Sequence, residues 1–242
     1  GGVRPDDTLE LVQQAALPPL DGVREGAWGL LRGRTFPFLL AQAGYGDAGQ
    51  EMLHVVLMPS EVLRALGGNI DALMQLIDAP LPAYDRLGDR LPPLVLAADG
   101  PPEPQAQIDH ILEMMTATRN RIDVIQALLA AVVQGVPVVV QGAPRDLAAR
   151  VALVKGLLAL LPPPARFGVT FATHALPATR LDAHIRFYSD DIPPAESLVY
   201  NWPGTHLAGR MAADDYSDFI ISQLRLDAGM VLRRTQALTP IA

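Results

Sequence analysis

Residues 136–174, VPVVVQGAPRDLAARVALVKGLLALLPPPARFGVTFATH, decide the fold class of this chain. They contain a β-branched run (136–141), an apolar helical segment (145–161) that ends at three prolines, and a second β-branched run (167–174). This pattern predicts a strand, a crossover helix and a second strand, parallel to the first and adjacent to it. Because the helical segment is apolar on nearly every side, we expect it to be buried against the sheet.

The segments around this unit complete the prediction of an α/β fold. Residues 1–100 read as hairpin strands followed by two helices and a proline-rich connection, and residues 101–242 contain the parallel unit. We therefore expect a mixed sheet with the strand–helix–strand unit at 136–174, helices on both faces and additional antiparallel strands. The two halves are separate units or one composite domain. The terminal residues suggest the N-terminal part of a longer, multidomain protein.

Composition restricts the class of partner. Half of the 242 residues are hydrophobic, and no apolar run reaches the roughly 20 residues that cross a membrane. Acidic residues outnumber basic ones, 26 to 19, and phosphate backbones need clustered basic residues, so we expect no nucleic-acid partner. The absence of cysteine excludes disulfides and thiolate metal sites. These features predict a cytoplasmic protein with neither a membrane nor nucleic acid as its partner.

The turn after the first strand of the unit lacks the residues that hold nucleotide phosphates. Residues 142–146 (GAPRD) contain one glycine and no Lys-Ser/Thr pair. Pro144 has no backbone N–H to donate, and the single lysine, Lys155, lies more than two helical turns beyond the turn. The sequence therefore predicts no nucleoside-triphosphate site and no cofactor.

Open α/β sheets bind ligands at the carboxyl ends of their strands, which predicts one candidate site here. The crevice would lie at the ends of strands 137–142 and 167–174, with Gln141, Gly142, Arg145, Asp146 and His174 around it. In one interpretation Arg145 clamps an anion and His174 acts as an acid–base group. In the other, Gly142 makes a turn, Asp146 places negative charge at the helix N-terminus and His174 ends a strand.

Other catalytic patterns are absent from the sequence. No two histidines have the H-x-x-x-H spacing of helical metal ligands, and no G-x-S-x-G motif precedes a helix. The chain also has no cysteine nucleophile. We therefore expect no catalytic residues and no metal site.

A second candidate surface comes from an alternating segment at 183–188. Ile185 and Phe187 are predicted to point inward, and the polar residues between them outward, as in an antiparallel or edge strand with one solvated face. Arginine, tyrosine and tryptophan anchor many protein interfaces, so the outward row is either a docking surface or an ordinary solvated face. The row consists of His184, Arg186 and Tyr188, extended by Tyr200 and Trp202 from a neighbouring strand at 198–202.

Three segments resemble the N-terminal domains of bacterial GTPase-associated proteins from multi-gene conflict and signalling systems. They are a glycine-rich hairpin that leads into MLHVVLMP (52–59), a helix (125–134) that leads into strand 138–142, and LLPP (160–163) before GVTFAT (168–173). Together they span about half of the chain. The resemblance brings no catalytic residues with it and implies a regulatory or adaptor domain.

The resulting functional prediction is a non-catalytic adaptor domain that binds another protein. The resemblance implies a small GTPase or another domain of the same longer chain as the partner. The alternative is an enzyme or a small-ligand-binding protein that uses the crevice at the carboxyl ends of strands 137–142 and 167–174.

Overall fold

A computed structural model of the chain describes residues 5–17, 26–34, 36–45, 51–78, 94–96, 100–176, 181–188, 196–209 and 211–238. Its helices are α1 (Pro5–Gln14), α2 (Ser60–Leu66), α3 (Ile70–Asp78), α4 (Pro104–Ala117), α5 (Ile122–Gln134), α6 (Leu147–Ala159), α7 (Pro163–Arg166), α8 (Asp215–Leu224) and α9 (Ala228–Ala237). Its strands are β1 (Ala27–Arg32), β2 (Phe38–Tyr45), β3 (Glu51–Met58), β4 (Val138–Gln141), β5 (Phe171–Ala175), β6 (Ile185–Tyr188), β7 (Leu198–Asn201) and β8 (His206–Ala208).

The described strands form one mixed sheet in the order β3-β2-β1-β5-β6-β4-β7-β8. Four neighbours at its centre, β5, β6, β4 and β7, are parallel. Strands β1 to β3 form an antiparallel meander that joins β5 on one side, and β8 pairs antiparallel with β7 on the other. The predicted mixed α/β sheet with additional antiparallel strands is confirmed.

Helices cover both faces of the sheet, as the alternation of side chains requires. On one face, Val138, Val140 and Phe187 belong to the larger core, which also takes in α2 to α6, α8 and α9. On the other face, Val139 and Tyr188 belong to a smaller core with the end of α1. A strand buried on both faces is typical of a parallel sheet centre.

Helix α6 is buried nearly all round, as its composition predicted. Asp146 caps its N-terminus by accepting hydrogen bonds from the backbone N–H groups of Ala148 and Ala149. At Gly156 the helix approaches α4 so closely that a Cβ atom there would lie 2.2 Å from Cβ of Met114. Because of this close contact, α4, α6 and the sheet contribute side chains to the same core.

The predicted adjacency of the two strands flanking α6 is wrong. Strands β4 and β5 are parallel and share a sheet, but β6 lies between them and pairs with both. The connection through α6 therefore passes over one intervening strand. The second strand also begins four residues later than predicted, because the short helix α7 and a turn occupy residues 163–168.

The interpretation of 183–188 as an edge strand with a solvated face is also wrong. Strand β6 is central, and Tyr188 is buried in the smaller core, while Tyr200 is buried in the larger core on the opposite face. Strand β7 pairs with β4 and β8 rather than with β6. The prediction failed because polar side chains of this segment form hydrogen bonds with protein atoms instead of water. Arg186 Nε, for example, donates to the carbonyl of Ala183.

The predicted division near residue 100 stays a prediction. Most of the proline-rich connection lies outside the described residues. Among the described residues, both halves contribute to the same sheet, since β1 pairs with β5.

Because α6 is the most buried of the helices that cross the sheet, shortening one of its apolar side chains should lower the stability of the fold. We expect Leu153→Ala or Leu157→Ala to lower the free energy of unfolding by roughly 2–5 kcal/mol, since both side chains are fully buried. Leu226→Ala is the matched control, because that side chain is 72% exposed. Chemical denaturation of the three variants measures the difference, and equal midpoints would contradict the assignment of this helix to the core.

Candidate functional site

The residues predicted around the carboxyl-end crevice have structural roles. Gly142 follows β4 with a φ of +65°, and a Cβ atom there would lie 2.8 Å from Cδ of Pro203, so the turn requires glycine. Asp146 accepts the first N–H groups of α6, which are the donors that an anion would otherwise use. These positions match the structural interpretation of the turn.

The other residues of this set do not converge on an open site. Gln141 is the last residue of β4, and Arg145 is exposed in the turn before α6. His174 lies inside β5 and is 6% exposed, so it does not end a strand as the structural interpretation expected. Strand β6 separates β4 from β5, and the candidate acid–base group His174 is buried, whereas Arg145 is exposed.

Arg150, for which the sequence predicts no site role, lies buried between these strand ends. From α6 its Nε donates to the carbonyl of Pro144 (2.6 Å) and its Nη1 to that of Thr173 (2.5 Å). Its Nη2 lies 3.5 Å from the carbonyl of Ala143, and the guanidinium stands 5.9 Å from the centre of the Phe187 ring. The side chain thus ties the turn after β4 to β5 across the end of β6.

Burial gives this arginine an unusual environment. Its side chain is almost fully buried, and burial together with the charge of Arg145 lowers the pKa of Arg150, while Asp146 opposes the shift. Among the described residues no carboxylate forms an ion pair with it. Backbone carbonyl dipoles therefore solvate this cation in place of water.

An open cavity of about 560 Å³ lies at the opposite, amino-terminal ends of the parallel strands. It lies where the chain enters the parallel strands, next to the C-terminal ends of α5 and α6. Its walls are largely apolar, and we call it the amino-edge cavity. The apolar lining comes from Val132, Val133, Leu161, Pro162, Ala165 and Val169.

The titratable side chains that line the amino-edge cavity are Arg32, His184 and Tyr216. Arg32 ends β1, is exposed, and reaches the carbonyl of Gly168 with its Nη2 (3.4 Å). The hydroxyl of Tyr216, at the start of α8, donates to the carbonyl of Leu160 (2.6 Å). These groups come from distant parts of the sequence, so no local pattern indicates the cavity.

The hydrogen bonds of His184 determine which ring nitrogen carries its proton. The backbone N–H of Thr170 donates to Nδ1 (3.2 Å), and the Thr170 hydroxyl lies 2.9 Å from the same atom. Since Nδ1 accepts, the neutral ring carries its proton on Nε2. Burial lowers the pKa of His184, Arg32 lowers it further, Asp182 opposes the shift and Arg186 adds to it.

A second buried arginine stands behind the cavity wall. Arg166, on α7, donates from Nε to the carbonyl of Leu161 (2.8 Å) and from Nη1 to that of Gly67 (3.3 Å). Its Nη2 is buried without a hydrogen-bond partner among the described residues. Burial lowers the pKa of Arg166 to about 10, so the side chain stays charged at neutral pH. Burial also raises the pKa of Tyr216, although the charge of Arg166 opposes that shift.

The predicted interface row is divided by the fold. Only His184 lies at the cavity, and Arg186 is partly buried. Tyr188 and Tyr200 are buried, and Trp202 packs partly against the larger core beside Tyr200, with the two ring centres 6.0 Å apart. These five residues therefore do not form one surface.

The described residues show neither a metal-binding cluster nor a helix that could span a membrane. Within them, no group of three or more histidine or carboxylate side chains is arranged to hold a metal ion. No helix in the described ranges has both the length and the hydropathy that crossing a bilayer needs.

The network around Arg150 predicts a large loss of stability when the guanidinium is removed. We expect Arg150→Met to lower the free energy of unfolding by about 2–4 kcal/mol, because buried carbonyls lose their donors while the apolar stem is kept. Arg145→Met, at the exposed neighbouring arginine, should change it by less than about 0.5 kcal/mol. Urea denaturation measures both, and a similar midpoint for the two variants would contradict the bridging role.

The environment of His184 predicts a stability that falls with acid. Because its pKa is lower in the folded than in the unfolded chain, the unfolded chain binds more protons once the pH drops below about 6.5. Stability is therefore present at pH 7 and is lost as the pH falls toward 5. His54 and His110 shift in the same direction and add to the loss.

We expect His184→Asn to lessen the loss between pH 7 and pH 5, since the amide oxygen replaces Nδ1 as an acceptor but does not titrate. His206→Asn is the control, because His206 is exposed on β8. Urea titrations at both pH values provide the measurement. A pH dependence that is the same in the wild type and in His184→Asn would show that this histidine does not contribute.

No protein-family model and no curated protein matches the chain.

Proposed function

We propose that this chain is a non-catalytic adaptor or regulatory domain that binds a protein partner in the cytoplasm of a bacterium. The observation that carries the proposal is the position of Arg150. In an α/β sheet of this type, substrates bind at the carboxyl ends of the parallel strands. Here a side chain of the chain itself lies there, hydrogen-bonded to main-chain carbonyls.

Three of the groups with shifted pKa values, Arg150, Arg166 and Tyr216, support a structural rather than a catalytic use. Arg150 and Arg166 donate to backbone carbonyls, and the hydroxyl of Tyr216 donates to another. Catalytic acids and bases need a lone pair or proton that a substrate can reach. Groups whose N–H or O–H donors already form hydrogen bonds inside the fold are poorly suited to acid–base catalysis.

An exposed apolar surface provides a place for a partner. Val133, near the end of α5, is 41% exposed, and Phe219, on α8, is 40% exposed. Val133 lines the amino-edge cavity, and Phe219 lies one helical turn from Tyr216, which lines it as well. We call Val133 and Phe219 the α5–α8 surface. Exposed apolar side chains at the rim of an apolar cavity are candidate contact sites for other proteins.

The resemblance to bacterial GTPase-associated proteins supplies the class of partner. Its matching segments include the end of α5 and the LLPP segment before β5, which both border the amino-edge cavity. We therefore propose a small GTPase, or another domain of the same longer chain, as the protein that binds the α5–α8 surface.

The proposal is tested with a purified bacterial small GTPase. We expect saturable binding by biolayer interferometry, and we expect the double variant Val133→Ser/Phe219→Ser to weaken it about tenfold or more, as loss of central apolar anchors does. Leu112→Ser is the matched control, because Leu112 is similarly exposed but lies on α4.

Thermal melting of each variant checks that the fold is kept. Loading the GTPase with GDP or with a non-hydrolysable GTP analogue tells whether the chain distinguishes the two states. Binding that is unchanged in the double variant would contradict the surface. Turnover of a substrate that Arg145→Ala abolishes would contradict the non-catalytic assignment and favour an enzyme at the carboxyl edge.

A further inference from the structure

The amino-edge cavity has the size and chemistry of a small-molecule site. Pockets that hold small ligands measure about 300–1,000 Å³ and combine apolar walls with a few placed polar groups. This cavity, at about 560 Å³, lies within that range, and its walls come from the ends of α5 and α6 and the start of the parallel strands. Its apolar lining would accommodate an aliphatic or aromatic body.

The charged groups around the cavity favour an anionic headgroup. Arg32 is a lining residue, has no ion-pair partner among the described residues, and holds its guanidinium at the carbonyl of Gly168. Arg166 adds a second positive charge behind the wall. Asp182 and Asp214 act on His184 and Tyr216 from nearby, but neither lines the cavity.

The histidine supplies a directed donor beside this cation. Because Thr170 donates to Nδ1, neutral His184 keeps its proton on Nε2, where it is available to an acceptor. Arg32 is close enough to His184 for its charge to act on the ring. A guanidinium and an imidazole N–H that line the same cavity provide donors for a carboxylate.

We propose that the amino-edge cavity binds a small monocarboxylic acid with an apolar body, the carboxylate held by Arg32 and His184 and the body against the apolar wall. A carboxylate fits better than a phosphate ester because one cation and one neutral donor line the cavity, which suits a single negative charge. This site lies at the end of the parallel strands opposite to Arg150, and it shares Val133 with the proposed α5–α8 surface.

The test uses the full chain and octanoate as the probe, measured by titration calorimetry at pH 7.5. We expect saturable binding of octanoate and binding of 1-octanol that is about tenfold weaker or more, since the alcohol lacks the charge. Arg32→Gln should weaken octanoate by a similar factor and leave 1-octanol nearly unchanged. Arg34→Gln, an exposed arginine two residues away, is the matched control and should have no effect.

A variant that fills the space tests the apolar half of the proposal. Ala165 lines the cavity and is exposed, so Ala165→Trp is expected to weaken octanoate and 1-octanol alike, while thermal melting reports that the fold is kept. No octanoate heat up to millimolar concentration, equal affinities for acid and alcohol, or insensitivity to Arg32→Gln would each overturn the assignment. Binding of a peptide with a free apolar C-terminus, without binding of octanoate, would overturn it in favour of a protein ligand.

Discussion

The burial of helix α6 is the constraint on which the rest of this structure depends. Its residues are apolar on nearly every side, so water must be excluded from all of them. The sheet covers one side, α4 covers another at the close contact of Gly156 with Met114, and α5 packs nearby. The largest apolar core of the chain forms around this helix, and the strands on either side of it in sequence become the parallel centre of the sheet.

Arg150 is the polar exception on this helix, and its position follows from the same constraint. A guanidinium that cannot reach water must find acceptors within the fold. The carbonyls of Pro144 and Thr173 lie within reach because the turn after β4 and the end of β5 meet near the N-terminus of α6. The bonds that solvate this cation also hold the two strand ends together across β6.

The two ends of the parallel strands therefore differ in their surroundings. At the carboxyl edge, Asp146 and Arg150 use the helix N–H groups and the strand-end carbonyls inside the fold. At the amino ends of the strands, the ends of α5 and α6 line the cavity that Arg32 and His184 also border. Ligands of α/β sheets usually bind at the carboxyl ends of the strands, whereas this cavity of about 560 Å³ lies at their amino ends.

The fold class and several local elements can be predicted from the sequence. The β-branched runs, the cap at Asp146, the turn at Gly142 and the all-round apolar helix each follow from interactions between residues close in the chain. Tertiary structure alone decided the strand order and the position of the cavity. The insertion of β6 between β4 and β5 depends on pairing between distant segments, which leaves no periodic signal in either one. The polar residues of β6 resembled a solvated face because an alternating pattern shows only which side chains are polar. It does not show whether their hydrogen bonds are made with water or with a protein atom, such as the carbonyl of Ala183.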